Sequence, residues 1–555
     1  MTEEISVRQL VEREFAAAGL TPVSVLVRSF PGETIAVVEV DANYERALAV
    51  AQILDGKISG GFVTVRQVAS KGTLAKAERK PVKDVHDERV ATLLELLSAR
   101  SRTSETQPSL RFIKDVDERL NLALSPRHQL IFGRRGVGKT SLLLEAKRLL
   151  EDKGASVLWV NMHPFRGWEA GKAFLHIVSR LCDLTIGAYQ GRSTAAAGVQ
   201  QIQVLRARIE EQLYSPSANL SYEDASSLVP LIQQAIARFS VEADKQTFIF
   251  LDDIHYMKSQ QVPLLLDLLH GITRDNPVWL KVAGIQHQTR WFIPNPPTGL
   301  QTGHDATIIN LDVTLEHPER ASKFLSDVLL GYVEECDALP LSRVISSSAL
   351  ERLVLASGGV PRDFLTLCAS SIQTARQRTN ASAVGVQDVN NAAGVAGQTK
   401  LQELEDDAAA TAGRSAVLIG ALNTLRTFLL TDKQITFFRV DFRDKETHGS
   451  EYRVLQALAD LRMLHLINAS LSDPQQAGQR SEVYLLDLSQ YSGSRLKQRI
   501  RVLDFERGHM VLKRTRSSEP SKAGDTVLRL VALLRQGPMF PLNDLANLEA
   551  NATEL

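Results

Sequence analysis

The chain has 555 residues, 64 Lys and Arg against 64 Asp and Glu, and 44% apolar residues. That length exceeds one ordinary core and sets an expectation of roughly three or four folded domains. Zero formal charge excludes a uniformly basic nucleic-acid coat protein but leaves room for a local basic face.

Cys182, Cys336 and Cys368 lack metal-type spacing, which argues against zinc and disulfide stapling and for a reducing compartment. No run of about 18 apolar residues occurs, so no membrane span is expected. The charged N-terminus "MTEEISVRQLVEREF" does not read as a signal peptide. A soluble cytoplasmic protein without a membrane partner is the expectation.

In chain order, residues 1–72 read as a small α/β unit: a helix ending on Gly19, a hairpin, a helix and a third strand. No chemistry is visible there, and a docking or adapter role toward a protein partner is the expectation. Residues 73–110 read as a linker with a helical middle, "VHDERVATLLELLSAR". In residues 111–312, strands "HQLIFG", "SVLWVNM", "TFIFLDD", "VWLKVAGI" and "TIINLDV" alternate with helical stretches. That alternation means a parallel sheet covered on both faces. "YQGRSTAAAGVQQ" reads as a loop or insertion. Residues 313–400 read as all helix, broken by "SGGVPRDF", and "LQELEDDAAATAG" reads as a joint. Residues 410–492 read as helix, strand, helix and two strands, the pattern of a winged helix. Residues 493–555 form a basic extension with a short amphipathic helix.

Two stretches carry chemistry. In "IFGRRGVGKTSLL", Gly133, Gly138, Lys139 and Thr140 satisfy G-x-x-x-x-G-K-[ST] between a strand and a helix. Amides of Gly133, Arg134, Arg135, Gly136, Val137, Gly138, Lys139, Thr140 and Ser141 would cradle a polyphosphate at a helix N-terminus. Lys139 reaches the outer phosphates, and Thr140 offers a hydroxyl to Mg2+. The side chains of Arg134 and Arg135 either add charge near the nucleotide or face solvent or a partner. In "FIFLDDIHYM", Asp252 would share the magnesium shell and Asp253 would polarise the attacking water. ATP and Mg2+ are the expected cofactors.

These stretches together resemble the AAA+ ATPases, and within them the origin recognition complex type and its bacterial relatives, over about residues 110–490. The Asp-Asp pair is also similar to STAND signalling ATPases. The resemblance implies a parallel-sheet P-loop core, a helical lid and a winged helix. It places Gln286 or His287 at the sensor position, where the family usually has Asn or Thr. From "GGVPRDF", with Gly359, it implies Pro361 near the adenine and Arg362 approaching the γ-phosphate. Arg290 is the one arginine from Gln286 to Glu319 that matches the place of an arginine finger. A finger supplies about 10³–10⁵ in rate, so without one hydrolysis is slow or partner-stimulated.

From Ser494 to Arg516, eight Lys and Arg, among them Arg495, Lys497, Arg499, Arg501, Lys513 and Arg514, stand against Asp504 and Glu506. Such a segment contacts phosphates without reading sequence. Its alternative is a strand pair compensated by acidic neighbours. The helix at the recognition position, "SEYRVLQALADLRML", has mixed charges and is a poor major-groove reader. The expected function is an ATP-binding, oligomer-forming switch acting on double-stranded DNA. The alternative is a STAND-like signalling or scaffold ATPase, for example in anti-phage defence, that recruits a protein effector.

Overall fold

The computed structural model describes residues 2–30, 33–40, 43–55, 57–58, 61–67, 84–99, 113, 118–189, 196–214, 220–243, 245–336, 339–409, 414–473, 478–492, 499–506, 509–514 and 527–546. The chain divides into two compact units, Met1–Val82 with Thr103–Pro108, and Lys83–Arg102 with Ser109–Leu555.

The first unit holds α1 (Thr2–Ala17), β1 (Ser24–Phe30), β2 (Glu33–Val40), α2 (Tyr44–Asp55) and β3 (Gly61–Gln67). β2 pairs antiparallel with β1 and parallel with β3. The period-2 pattern of β2 sends Ala36, Val38 and Val40 inward, where they meet Val11 and Phe15 of α1 and Ala47, Ala51 and Leu54 of α2. The result is a two-layer αββαβ sandwich.

The second unit opens with α3 (Glu88–Ala99), which packs on the lid helices α10 and α13 given below. Its apolar stripe, Val90, Leu93 and Leu97, is buried. The helix is therefore a docked element rather than part of a free linker. Then come α4 (Arg119–Ala123), β4 (His128–Phe132), α5 (Lys139–Asp152), β5 (Ser156–Asn161), α6 (Ala170–Tyr189), α7 (Ala196–Tyr214), α8 (Tyr222–Ala243), β6 (Thr247–Asp252), α9 (Gln261–Thr273) and β7 (Val278–Gly284). A small hairpin, β8 (Phe292–Pro294) and β9 (Pro297–Gly299), precedes β10 (Ala306–Asn310).

The five expected strands form one parallel sheet of order β10-β4-β7-β6-β5. Alternate residues serve opposite layers. Leu130, Ile249, Leu251, Leu280 and Val282 join the core with α6, α8 and α9. Ile131, Phe248, Phe250 and Ala283 join the core with α5. Burying each such Phe stabilises by about 1.5–3 kcal/mol. The loop expected over Tyr189–Gln201 needs correction: α7 begins at Ala196, because Ala-rich sequence favours helix and Ile202, Leu205 and Ile209 bury at helical spacing. Residues 190–195 lie outside the described residues.

The helical region is α10 (Pro318–Glu334), α11 (Leu341–Val344), α12 (Ser347–Ser357), α13 (Pro361–Arg376) and α14 (Val386–Ala409). α14 runs on through much of the stretch read as a joint, whose alanines and acids are good helix formers; residues 410–413 lie outside the described residues. After it come α15 (Arg414–Arg426), β11 (Phe437–Asp441), α16 (Phe442–Thr447), α17 (Gly449–Asp460), β12 (Leu464–Ser472) and β13 (Arg480–Leu486). The three strands form an antiparallel sheet of order β11-β13-β12. A hairpin of β14 (Arg501–Glu506) and β15 (His509–Arg514) packs its β14 on α12, and α18 (Val527–Leu534) contacts β15. Among the described residues no helix is long and apolar enough to cross a membrane.

Candidate active site

The carboxyl ends of β4, β6, β7 and β10 share one edge of the parallel sheet, where ligands bind in such sheets. β4 ends at Phe132, and the loop turns through Gly136 (φ +84°) and Gly138 (φ +105°), which a side chain would strain. α5 begins at Lys139 and carries Thr140 and Ser141 in its first turn. Lys139 is buried, and its Nζ donates to the carbonyl oxygens of Gly133 (2.7 Å) and Arg134 (3.1 Å). Burial lowers its pKa, against the pull of Asp253, Asp312 and Asp252.

Thr140 Oγ1 donates to Asp252 Oδ2 at 2.8 Å, across 112 residues of sequence. The other oxygen, Oδ1, is buried and has no hydrogen-bond partner among the described residues. Burial first, and the charge of Asp253 second, push the Asp252 carboxyl up to about 7. A hydroxyl beside a carboxylate with a spare oxygen suits a hard divalent cation, so Thr140 and Asp252 fit Mg2+. Asp253 follows in a left-handed conformation (φ +59°), uncommon outside glycine.

Past Asp253, a short 3-10 turn over Ile254–Tyr256 carries His255. Sequence reading missed this residue; its signal was its place two positions after the acidic pair. Burial, with Lys139 and Arg135 nearby, pushes its pKa down to about 3. β7 ends at Gly284, where a Cβ would lie 2.8 Å from both Ile254 Cγ2 and Thr289 Oγ1, so glycine lets the strand pass the turn. The turn Gln286–Gln288 follows β7, with Gln286 half-buried and His287 exposed. Gln288 Nε2 donates to Asp460 Oδ2 at 3.5 Å. Arg290 lies just beyond and is exposed.

The lid closes directly on the loop. Gly358 (φ +56°) and Gly359 (φ +83°) end α12, and Pro361 opens α13. The Arg362 amide donates to Gly136 O at 3.3 Å. A Cβ on Gly136 would lie 2.8 Å from Arg362 Cβ.

Arg134 corrects an expectation. It is 8% exposed, so its side chain does not face solvent. Its amide and Nε donate to Asp312 Oδ1 (2.9 and 3.2 Å), and Nη2 donates to Val313 O (3.3 Å) and Gly358 O (3.1 Å). Because its amide is already committed to Asp312, Arg134 shapes the loop and ties it to the segment after β10 and to Gly358 at the end of α12. Arg135 is half-buried.

Behind the lid lies a buried ionic network that no sequence signal marked. Arg462, in a left-handed conformation after α17, donates Nη1 to Asp363 Oδ1 at 2.5 Å. Lys400 of α14 donates to Arg462 O (3.2 Å) and pairs with Asp487 (3.0 Å). His465 Nε2 lies 2.7 Å from Asp487 Oδ2. Burial raises Asp487, but Lys400 and His465 outweigh it and hold the carboxyl below the ordinary range. Gly358 has no room for a side chain, since a Cβ there would lie 2.0 Å from His465 Nδ1.

Of the candidate nucleic-acid residues, Arg501, Lys513 and Arg514 lie on the β14–β15 hairpin. Arg495 and Lys497 lie outside the described residues. Arg499 is exposed, Arg501 is half-buried, and Arg501 is in register with Arg514 across the hairpin. Lys513 Nζ donates to Asp504 Oδ2 (3.1 Å), which also accepts from Arg352 Nη2 (3.1 Å). α17 is half-buried along its length against α15, β12, the Gln286–Gln288 turn and a 3-10 turn at Leu542–Leu545. Asp460 and Arg462, two of the mixed charges of the helix expected at the recognition position, are 5% and 8% exposed.

Residues 113–280 match the family model described as AAA ATPase domain. This chain carries an AAA ATPase domain. No curated protein matches the chain. Among solved structures, Cdc6p from Pyrobaculum aerophilum is similar at 15% identity over 71% of this chain and 94% of that one, TM-score 0.31. The Aeropyrum pernix Orc1 protein, solved in complex with DNA, is similar at 16% identity over 73% and 91%, TM-score 0.32. A RuvB variant from Thermotoga maritima is similar at 13% identity over 68% and 95%, TM-score 0.29. The ATPase domain match spans the phosphate loop and the acidic strand and ends within β7.

Proposed function

We propose that this chain is an ATP-operated switch. ATP with Mg2+ is held between the sheet edge and the lid and sets the position of the C-terminal winged-helix domain, α15 to β13. That position governs assembly and grip on double-stranded DNA. One observation carries the reading. At the start of α13, Arg362 sits on the phosphate loop while its neighbour Asp363 is bonded to Arg462 of the C-terminal domain. A shift at the terminal phosphate therefore reaches the C-terminal domain through one helical turn.

In this reading the loop amides and Lys139 bind the phosphates, and Thr140 and Asp252 hold the metal. Asp253 polarises the attacking water, and Arg362 offsets charge on the terminal phosphate. Pro361 packs toward the adenine, and Gln286 or His287 senses the phosphate. Bound Mg2+ supplies charge neutralisation. The test is calorimetric ATP titration. Lys139→Ala removes a charge-assisted contact of about 1.5–3 kcal/mol, or about 10- to 150-fold in affinity. A variant that binds as the parent does defeats the assignment.

A second reading is favoured by the burial of α17 and the pairing of Lys513 with Asp504. Here the closed protein is a STAND-like scaffold whose N-terminal unit recruits a protein effector. Salt-titrated DNA binding separates the two. A steep slope that shrinks when Arg499, Arg501, Lys513 and Arg514 are neutralised supports DNA. Absence of binding below about 100 μM, against the usual non-specific range, supports the effector.

A further inference from the structure

We propose that His255 is a positioning residue for hydrolysis: its Nδ1 holds the water that Asp253 polarises. This rests on the reading of Asp252 and Asp253 given above. The His255 side chain is 4% exposed, and its Nδ1 is buried with no hydrogen-bond partner among the described residues. Leaving such an atom unsatisfied is costly; His465 also has a partnerless Nδ1, but its Nε2 is bonded to Asp487. Nδ1 lies 3.9 Å from Asp253 Oδ1. That gap is too long for a direct hydrogen bond, and in this proposal a shared water spans it.

Ring contacts and the local turn fix the imidazole. It stacks on Tyr256 (centroids 4.6 Å apart, 30° between planes), and Tyr256 meets His163 edge-on at 4.6 Å. The left-handed Asp253 turns the chain so that Tyr256 N donates to Asp253 O and Met257 N to Ile254 O, both at 3.1 Å. Lys139 and Arg135 are close enough to act on the ring electrostatically. The imidazole thus stands beside Asp253 with its Nδ1 3.9 Å from the carboxylate. Asp253 takes the proton from the water, and His255 fixes the direction of its lone pair.

The test uses the full chain with Mg2+ and the variants His255→Ala, His255→Asn and His255→Gln. An Asn amide reaches the place of Nδ1, whereas a Gln amide reaches that of Nε2. Readouts are melting temperature, ADP and ATP affinity, retention of ADP with aluminium fluoride as a mimic of phosphoryl transfer, and turnover. Expected for His255→Ala is ADP affinity within twofold of the parent, aluminium fluoride trapping at least tenfold weaker, and kcat reduced about 10- to 100-fold at unchanged KM. His255→Asn recovers most of the trapping and His255→Gln does not, a contrast that survives even if the Ala variant fails to fold. Equal trapping in parent and His255→Ala overturns the proposal. So does equal loss in Asn and Gln, or a parent that binds ATP but neither traps nor hydrolyses. A parent that binds neither ADP nor ATP defeats the underlying site reading itself, and the proposal with it.

Discussion

Gly136 occupies a point where three demands meet. Its φ of +84° suits glycine, its carbonyl accepts from the Arg362 amide, and its missing side chain leaves room for Arg362. Gly136→Ala adds backbone strain of about 1–2 kcal/mol and drives Cβ against the lid. ATP affinity should fall at least tenfold in calorimetry, with the melting temperature lowered by a few degrees; unchanged affinity would show that the lid does not need this approach. Asp253 makes a different claim. In the proposed reading it polarises the attacking water, so it should be dispensable for binding but not for chemistry. Asp253→Asn should keep ATP affinity within threefold and lose turnover by about 10²–10⁴, measured as phosphate release. Loss of affinity and turnover together would instead mark Asp253 as part of the binding shell.

At the scale of elements, the start of α13 is the joint of the molecule. Removing one partner of a buried ion pair costs about 3–5 kcal/mol, because the other charge is left stranded. Arg462→Ala leaves Asp363 facing Lys400 at 3.8 Å without the close guanidinium bond, so amide exchange in α17 and β12 should accelerate well before global unfolding. Uniform acceleration across the parallel sheet would count against a local role. The elements that sequence made legible are those whose signal is local. The five parallel strands announce themselves as apolar runs, and the phosphate loop by its glycines and Lys139. The aspartate pair is marked by its place after an apolar strand. The network behind the lid was not legible: Arg462 and Asp363 stand 99 residues apart, and each reads alone as a surface charge. Asp460 misled for the same reason, since helical spacing gives a face but not what that face meets. The side-chain partners of Arg134, namely Asp312, Val313 and Gly358, were not legible because they arrive from distant segments. The helical reading failed in two places, at α7 and along α14, where Ala-rich polar sequence resembled loop or joint.

The whole molecule carries a pH dependence through Asp460. Burial, then the charge of Asp312, raises this carboxyl from 3.8 to about 7 while α17 is packed on the Gln286–Gln288 turn. Once released, it titrates near the ordinary value. The protonated form thus favours the packed state. That contribution is full below about pH 4, fades as pH rises through about 7, and is absent above. Hydrogen exchange over residues 449–460, corrected for intrinsic rates, should accelerate between pH 5 and pH 7. Asp460→Asn should abolish the acceleration and protect the helix at pH 8; an identical profile in both proteins would refute the assignment.

α3 precedes the ATPase core in sequence yet rests on α10 and α13. If those two helices parted from it, the buried stripe Val90, Leu93 and Leu97 would be uncovered. A segment that comes ahead of the core in sequence is thus held by the helical region that follows it.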